Sequence, residues 1–198
     1  AKTIPILLNT VDVAIYPEGG DLVAGLPNRV YIESRTPTKK PADIAGVVVN
    51  AAGREVATFR SEHEGRGRFS FVPARNEKYS LRVTEPAGIK TLFPLPQVKE
   101  SGIVISSPSD VIRREAAEVI VRLVAAADGS YGVALSQRGK EFSFKRVSLR
   151  AHQPTDLMLT VPKSLDGVLV ATVYDERNTP KAERLLFRQP EHGLKVEI

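Results

Sequence analysis

Apolar and polar residues alternate in short runs along the chain, which is the pattern of half-buried β-strands. The run Lys78–Thr84 is typical, because Tyr79, Leu81 and Val83 fall on one side of it and polar residues on the other. The other strands predicted in the first half are Val11–Tyr16, Arg29–Ser34, Ile44–Asn50, Glu55–Arg60 and Gly67–Phe71.

The second half repeats this style of short runs separated by glycine, proline and asparagine. Val111–Glu118 is ambiguous, because its residues have helical propensity but could equally form a loop that leads into a strand. The strands predicted in this half are Gly102–Ser106, Val119–Ala125, Tyr131–Gln137, Glu141–Leu149, Asp156–Val161, Val168–Tyr174 and Arg184–Phe187.

Strands of this length and spacing predict an all-β fold, with two tandem antiparallel immunoglobulin-like β-sandwiches of about seven strands each. Proline and glycine cluster in Glu85–Pro96, so we expect the domain boundary there, with sandwiches over 11–88 and 95–190. Residues 1–10 are interpreted as the end of a preceding domain or a leading strand. Residues 191–198 are interpreted as the start of a following domain or a trailing strand.

The predicted linker is unusually apolar for a segment of this kind. Ile89, Leu92, Phe93 and Leu95 all lie within it. We therefore expect some of these four side chains to pack between the two sandwiches.

Composition narrows the chemistry that is available to the chain. It contains no cysteine, which excludes disulfides, thiolate ligands and cysteine nucleophiles. The net charge is +5, but the basic residues are scattered and form no nucleic-acid-binding motif. No apolar run approaches the roughly 20 residues of a membrane span, and Ala1–Ile6 lacks the pattern of a signal peptide.

The stretch from Tyr16 to Arg35 organises the first half, because it holds two turn signals between apolar runs. It resembles a stretch of bacterial large proteins of the alpha-2-macroglobulin type, although Arg66 replaces an apolar residue of the pattern further along. The resemblance rests on Tyr16-Pro17-Glu18-Gly19-Gly20, Leu22-Val23, Gly25-Leu26, Asn28, Val30, Gly46-Val47-Val48, His63, Gly65, Gly67, Phe69, Pro73, Tyr79, Leu95-Pro96, Gly102, Pro162-Lys163, Tyr174-Asp175, Glu183-Arg184-Leu185 and Phe187.

This resemblance implies successive macroglobulin-type domains, each a seven-stranded sandwich, within a larger exported protein. Some members of the family trap proteases through a bait region and a thioester formed by cysteine and glutamine. Because this segment has no cysteine, it cannot hold the thioester. The implied partners are neighbouring domains of the parent chain and proteases or other proteins, with no nucleic acid and no membrane span.

Several polar groups could suggest chemistry, but each has a simpler structural interpretation. His63 stands between Glu62 and Glu64, yet adjacent residues of an extended chain point to opposite faces and do not converge on a metal. Ser136, His152 and Asp156 have the residue types of a hydrolase triad, but no G-x-S-x-G elbow accompanies them. His152 and His192 are interpreted as surface residues, Glu18 as an acceptor within its turn, and Glu183-Arg184 as a structural contact. The five tyrosines, which could form a sugar-binding platform, are interpreted as core residues: Tyr16, Tyr31, Tyr79, Tyr131 and Tyr174.

The sequence therefore predicts no catalytic residue, no metal ligand, no cofactor and no enzyme activity. It favours a non-catalytic structural and interaction module. The family resemblance alone indicates that this module is exported to the periplasm, the cell surface or the medium. The alternative is a carbohydrate-binding or adhesion β-sandwich.

Overall fold

The computed structural model describes residues 10–109 and 111–190, and its regular secondary structure there is β throughout. The predicted all-β sandwich class is confirmed. The chain forms two compact domains that divide between Glu100 and Ser101. The predicted terminal segments are 1–10 and 191–198, and all of their residues except Thr10 lie outside the described residues.

Residues 10–100 of the first domain form nine strands in two layers. Its main sheet has the order β1-β3-β6-β5-β4-β7-β8, and β2 and β9 form a small parallel pair. The strands are β1 (Asp12–Pro17), β2 (Leu22–Val23), β3 (Asn28–Arg35), β4 (Ala45–Asn50), β5 (Glu55–His63), β6 (Arg66–Phe71), β7 (Tyr79–Glu85), β8 (Leu92–Pro94) and β9 (Val98–Lys99).

Strand β5 passes from one layer of this sandwich to the other. Its residues 55–60 pair with β4, whereas Ser61 and His63 pair with β6. The register shifts at both pairings, and such irregularities bend a strand so that it can change sheets. A continuous chain of hydrogen-bonded strands therefore folds into two layers around one core.

Alternation along the strands supplies the core of the first domain. Four aromatic rings form a row through it, with centroids 6.1 Å apart for Phe59 and Phe69, 5.9 Å for Phe69 and Phe71, and 5.1 Å for Phe71 and Tyr79. The last pair meets edge to face, which is a favourable arrangement for aromatic rings. All four rings belong to the buried core of this domain, where removal of their apolar surface from water stabilises the fold.

The segment expected to link the domains belongs instead to the first domain. Strand β8 pairs with β7 and β9 pairs with β2. Ile89 and Leu95 are buried in the first domain's core, and Phe93 packs against the same core, whereas Leu92 is exposed. Burial in the first sandwich thus explains three of these four apolar residues. The division after Glu100 lies later than the range Glu85–Pro96 that we expected.

The second domain packs a three-stranded sheet, β10-β12-β15, against a five-stranded sheet, β11-β17-β16-β13-β14. All pairs are antiparallel except β11 with β17. The strands are β10 (Ile103–Ser106), β11 (Val111–Ile112), β12 (Glu118–Ala125), β13 (Gly129–Gln137), β14 (Lys140–Leu149), β15 (Thr155–Thr160), β16 (Gly167–Tyr174) and β17 (Pro180–Arg188).

The ambiguous stretch Val111–Glu118 forms no helix. Ile112 is buried in the core as part of β11, and the N–H of Ala116 donates to the carbonyl of Arg113 (3.0 Å) in the turn that follows. Core burial of Ile112 and of the alternating residues of β12 outweighs the weak helical propensity of the residues between them.

A buried arginine joins three segments of the second domain. Arg188, at the end of β17, has only 1% of its surface exposed. Its guanidinium donates to the carbonyls of Val161 (3.2 Å) and Pro162 (2.8 Å), and to that of Arg114 (2.7 Å). The side chain therefore ties the last strand to the loop after β15 and to the turn between β11 and β12.

Candidate functional site

The histidine flanked by two glutamates does not form a metal site. His63 Nε2 lies 3.9 Å from Glu64 Oε2, with both side chains largely exposed. Glu62 turns instead towards Arg68, with 3.6 Å between its Oε1 and the Arg68 Nε. Within residues 10–109 and 111–190, no group of three or more His, Cys, Asp or Glu side chains is placed to hold a metal ion.

The residues of the imagined triad lie on separate elements. Ser136 is on β13 of the five-stranded sheet, whereas Asp156 is on β15 of the three-stranded sheet. Both carboxylate oxygens of Asp156 accept from Arg122, from Nε at 2.7 Å and Nη2 at 2.8 Å. These hydrogen bonds hold the pKa of Asp156 below its ordinary value, so this carboxylate is committed to an ion pair. His152 follows β14, and His192 lies outside the described residues.

Glu18, in the turn Pro17–Gly20, contacts Arg29 of β3 through both its backbone and its side chain. The N–H of Glu18 donates to the carbonyl of Arg29 (2.8 Å), and the buried Glu18 carboxylate lies 3.4 Å from Arg29 Nε. Gly19 and Gly20 have φ of 88° and 105°, which glycine adopts without strain. We expected Glu18 to accept hydrogen bonds within its turn, and the structure places its carboxylate in an ion pair with Arg29 near the start of β3.

A buried asparagine closes the next loop. Asn28 Oδ1 accepts from the N–H of Val23 (2.9 Å), and its Nδ2 donates to the carbonyls of Val23 (2.9 Å) and Leu26 (2.7 Å). Gly25, within this loop, has φ of 73° and donates to the carbonyl of Pro73 (2.8 Å). The motif residues thus fix the path of the chain between β1 and β3.

Of the five tyrosines, one is buried, one is exposed, and Tyr31, Tyr131 and Tyr174 are half-buried. Tyr79 is buried, as expected, and its hydroxyl accepts from the N–H of Ala74 (2.8 Å). Tyr16, in contrast, is 55% exposed. It pairs across the sheet with Tyr31, which in turn lies opposite Arg68. A row of two tyrosines and an arginine therefore crosses the outer face of β1, β3 and β6.

The second domain presents an apolar surface that the sequence analysis missed. Four exposed side chains occupy adjacent positions on the outer face of the five-stranded sheet, and we call this group the β17 face. Register pairs Val111 with Phe187 and Phe187 with Val168, while Leu185 lies two residues before Phe187 on the same face. The exposed fractions of these side chains are 44% for Val111, 43% for Phe187, 54% for Val168 and 59% for Leu185.

The β17 face is bordered by a carboxylate. Glu183, two residues before Leu185, accepts a hydrogen bond from the hydroxyl of Thr172 (3.0 Å), which is a structural contact between neighbouring strands. Leu185, Leu186 and Phe187 are consecutive apolar residues in a strand whose side chains alternate. At least one apolar side chain of such a run must therefore face outwards. This run of three apolar residues is the feature of the sequence that could have predicted the exposed apolar surface.

No helix among the described residues is long and apolar enough to cross a membrane. No protein-family model matches the chain, and no curated protein matches it.

Solved structures to which the chain is similar include surface proteins and a macroglobulin. Domains 5-6 of the S-layer protein SbsC match at 10% identity and a TM-score of 0.44, over 92% of this chain and 99% of that one. The Yersinia pseudotuberculosis adhesin InvE matches at 8% identity and a TM-score of 0.35, over 89% of this chain and 58% of that one. A Salmonella alpha-2-macroglobulin matches at 10% identity and a TM-score of 0.31, over 89% of this chain and 15% of that one.

This chain spans little more than half of the InvE structure and a small part of the macroglobulin structure. With TM-scores below 0.5 and identities of 8–10%, these likenesses establish neither a family nor a function for the chain.

Proposed function

We propose that the chain is a non-catalytic structural and interaction module, made of two domains of a larger exported bacterial protein of alpha-2-macroglobulin type. The observation that carries this proposal is the structural use of the motif residues. Glu18, Gly25 and Asn28 hold turns and loops through the contacts described above. Residues that a family shares for its fold alone are expected to behave in this way.

The polar groups that could have suggested chemistry support the same proposal. The carboxylates of Glu62 and Asp156 lie against arginines, and Glu183 accepts a hydroxyl hydrogen bond. Catalysis would require a nucleophile, a base and a charge-stabilising group converging on one point. We infer that the partners are neighbouring domains of the parent chain and other proteins, with protease inhibition as an activity of the parent.

Cell fractionation tests the exported location that this proposal requires. Antibodies raised against the purified chain should detect the parent protein in the periplasmic, surface or secreted fraction of cells that produce it. A cytoplasmic enzyme and a known periplasmic protein, probed on the same blots, mark the quality of the fractionation. Recovery of the parent in the cytoplasmic fraction alone would overturn the proposal.

A carbohydrate-binding module is the second candidate, favoured by the row of Tyr16, Tyr31 and Arg68. Exposed tyrosines stack on sugar rings, and an arginine binds their oxygens or carboxylates. If this candidate is right, a glycan array should give signals that fall at least about tenfold in Tyr16→Ala, since 1.4 kcal/mol of lost stacking corresponds to that factor. Val72→Ala, at another exposed position of the same domain, is the matched control. An array without signal, or signals equal in both variants, would reject this candidate.

A further inference from the structure

The only methionine of the chain lies on its surface. The sequence contains one methionine and no cysteine, so Met158 carries the single sulfur atom of the chain. Methionine belongs to the residue types that proteins most often bury completely. Met158 is nevertheless 51% exposed, on β15 of the three-stranded sheet. The sulfur atom therefore lies within reach of oxidants in the solvent.

The alternation of side chains along β15 holds Met158 outside the core. Leu159 is fully buried in the core of the second domain, and Leu157 packs against the same core. Because successive side chains of a strand point to opposite faces, Met158 points outwards. A reagent in the solvent can therefore meet the thioether without any opening of the domain.

The neighbours of Met158 on the outer face are themselves exposed. Register places Ile120 of β12 directly opposite Met158, and Ile120 is 42% exposed. The next pair on this face is Arg122 with Asp156, both close to half exposed. Asp156 accepts from two of the five N–H groups that an arginine carries. A polar group at position 158 would thus meet water and, diagonally across the strands, a guanidinium.

We propose that Met158 is a site of reversible oxidation by peroxides, and that the fold tolerates the oxidised side chain. A lone pair of the sulfur attacks one oxygen of hydrogen peroxide, and the O–O bond breaks. The departing hydroxide takes up the proton left on the transferred oxygen, which gives water and methionine sulfoxide. The sulfur is oxidised and the peroxide is reduced, and methionine sulfoxide reductases restore the thioether.

Oxidation would change the outer face and leave the core as it is. The sulfoxide is polar, whereas the thioether is apolar. The exposed apolar pair of Ile120 and Met158 would therefore become a mixed pair, while Leu157 and Leu159 keep their packing. Oxidation at this position is independent of whether the parent protein is exported.

Peptide mapping by mass spectrometry tests the site on the full chain. The folded chain is treated with hydrogen peroxide, and the gain of one oxygen atom in the peptide that contains Met158 is followed over time. We expect a rate within about threefold of that of N-acetylmethionine amide in the same sample, because access to the sulfur sets the rate. Unfolding the chain in urea should raise the rate by no more than the same factor.

A methionine on the opposite face of the same strand is the matched control. The double variant Met158→Leu, Leu159→Met moves the sulfur by one residue, to a fully buried position. Leucine and methionine are similar in volume, so the core should accept the exchange. Oxidation should be at least tenfold slower than at Met158 in the folded chain, because the reagent must wait for an opening of the domain. Met158→Leu alone should gain no oxygen.

The effect of oxidation on the fold is measured on the fully oxidised chain. Its urea midpoint should lie within about 0.3 M of that of the untreated chain, as for other surface changes. Its retention on a hydrophobic-interaction column should fall, whereas peroxide should not change the retention of Met158→Leu. The two reductases that act on the two sulfoxide epimers should together restore the original mass.

Three results would overturn the proposal. The first is oxidation of Met158 at least tenfold slower than that of N-acetylmethionine amide, which would show that the folded chain shields the sulfur. The second is a larger shift of the urea midpoint after oxidation, which would show that the fold does not tolerate the sulfoxide. The third is failure of the reductases on the folded chain. The comparison with N-acetylmethionine amide holds even if the double variant does not fold.

Discussion

Replacing Arg188 by methionine is expected to destabilise the second domain by about 3 kcal/mol or more. Methionine fills a similar volume but donates no hydrogen bond. The carbonyls of Val161, Pro162 and Arg114 would lose a charged donor at a position where the arginine itself is 1% exposed. A hydrogen bond to a charged group contributes about 1.5–3 kcal/mol, and a buried acceptor left without a partner costs a similar amount.

Arg122→Met is the matched control for this prediction. Arg122 donates two hydrogen bonds to Asp156, but both side chains are close to half exposed. Exposed ion pairs are screened by water and contribute little to stability, so we expect a much smaller change than for Arg188→Met. Urea unfolding followed by circular dichroism, with amide exchange to assign each transition to a domain, measures both variants. A loss below 1 kcal/mol for Arg188→Met would mean that water or neighbouring groups replace the guanidinium.

Strand positions could be predicted from the sequence because half-buried strands repeat with a period of two. Strand β3 shows the reason: Val30 and Ile32 face the core, while Tyr31 and Glu33 are only partly buried. The predicted strand Arg29–Ser34 differs from the observed Asn28–Arg35 by one residue at each end. The glycines and prolines that interrupt the runs marked the turns for the same local reasons.

Strands β8 and β9 could not be predicted, because their pairing depends on distant residues. Each has only two or three residues, which is too short to show a period. Val98 pairs with Leu22, far away in the sequence, and nothing local specifies that contact. A segment rich in proline and glycine therefore looked like a linker although it completes the first sandwich.

The burial of Arg188 was hidden for a related reason. Alternation tells which side chains share a face, but it does not tell which strand will lie beside that face or edge. Arginine is rarely fully buried, so the burial of Arg188 would not be expected from the sequence. Only the three carbonyls that converge on Arg188 explain why this one is inside.

Two glycines of the first domain allow the cost of backbone strain to be measured separately from the cost of a steric clash. Gly20 and Gly65 both have positive φ, 105° and 74°. A Cβ at Gly20 would meet nothing within 4 Å, whereas a Cβ at Gly65 would overlap the carbonyl oxygen of Ser34 and lie 3.0 Å from the amide nitrogen of Ala42. The two positions therefore share a conformational cost, and only Gly65 adds a clash with backbone.

Gly65 also stands at a point where three segments are hydrogen-bonded. Its carbonyl accepts from the N–H of Ser34 (2.8 Å), and its own N–H donates to Asp43 Oδ1 (2.8 Å). The N–H of Ala42 donates to the carbonyl of Ser34 (3.1 Å). Backbone that is held in this way cannot move aside without loss of these bonds, so a side chain at Gly65 cannot be accommodated cheaply.

We therefore expect Gly65→Ala to destabilise the first domain by about 2–4 kcal/mol, from conformational strain together with overpacking. Gly20→Ala should cost only about 1 kcal/mol, because the strain is present without the clash. Equilibrium urea unfolding of both variants, with amide exchange to report on the first domain, measures the difference. Equal losses of unfolding free energy in the two variants would contradict this prediction. They would show that the backbone of Ser34 and Ala42 moves aside at little cost when a side chain is added at Gly65. The turn between β5 and β6 would then owe its glycine to φ alone.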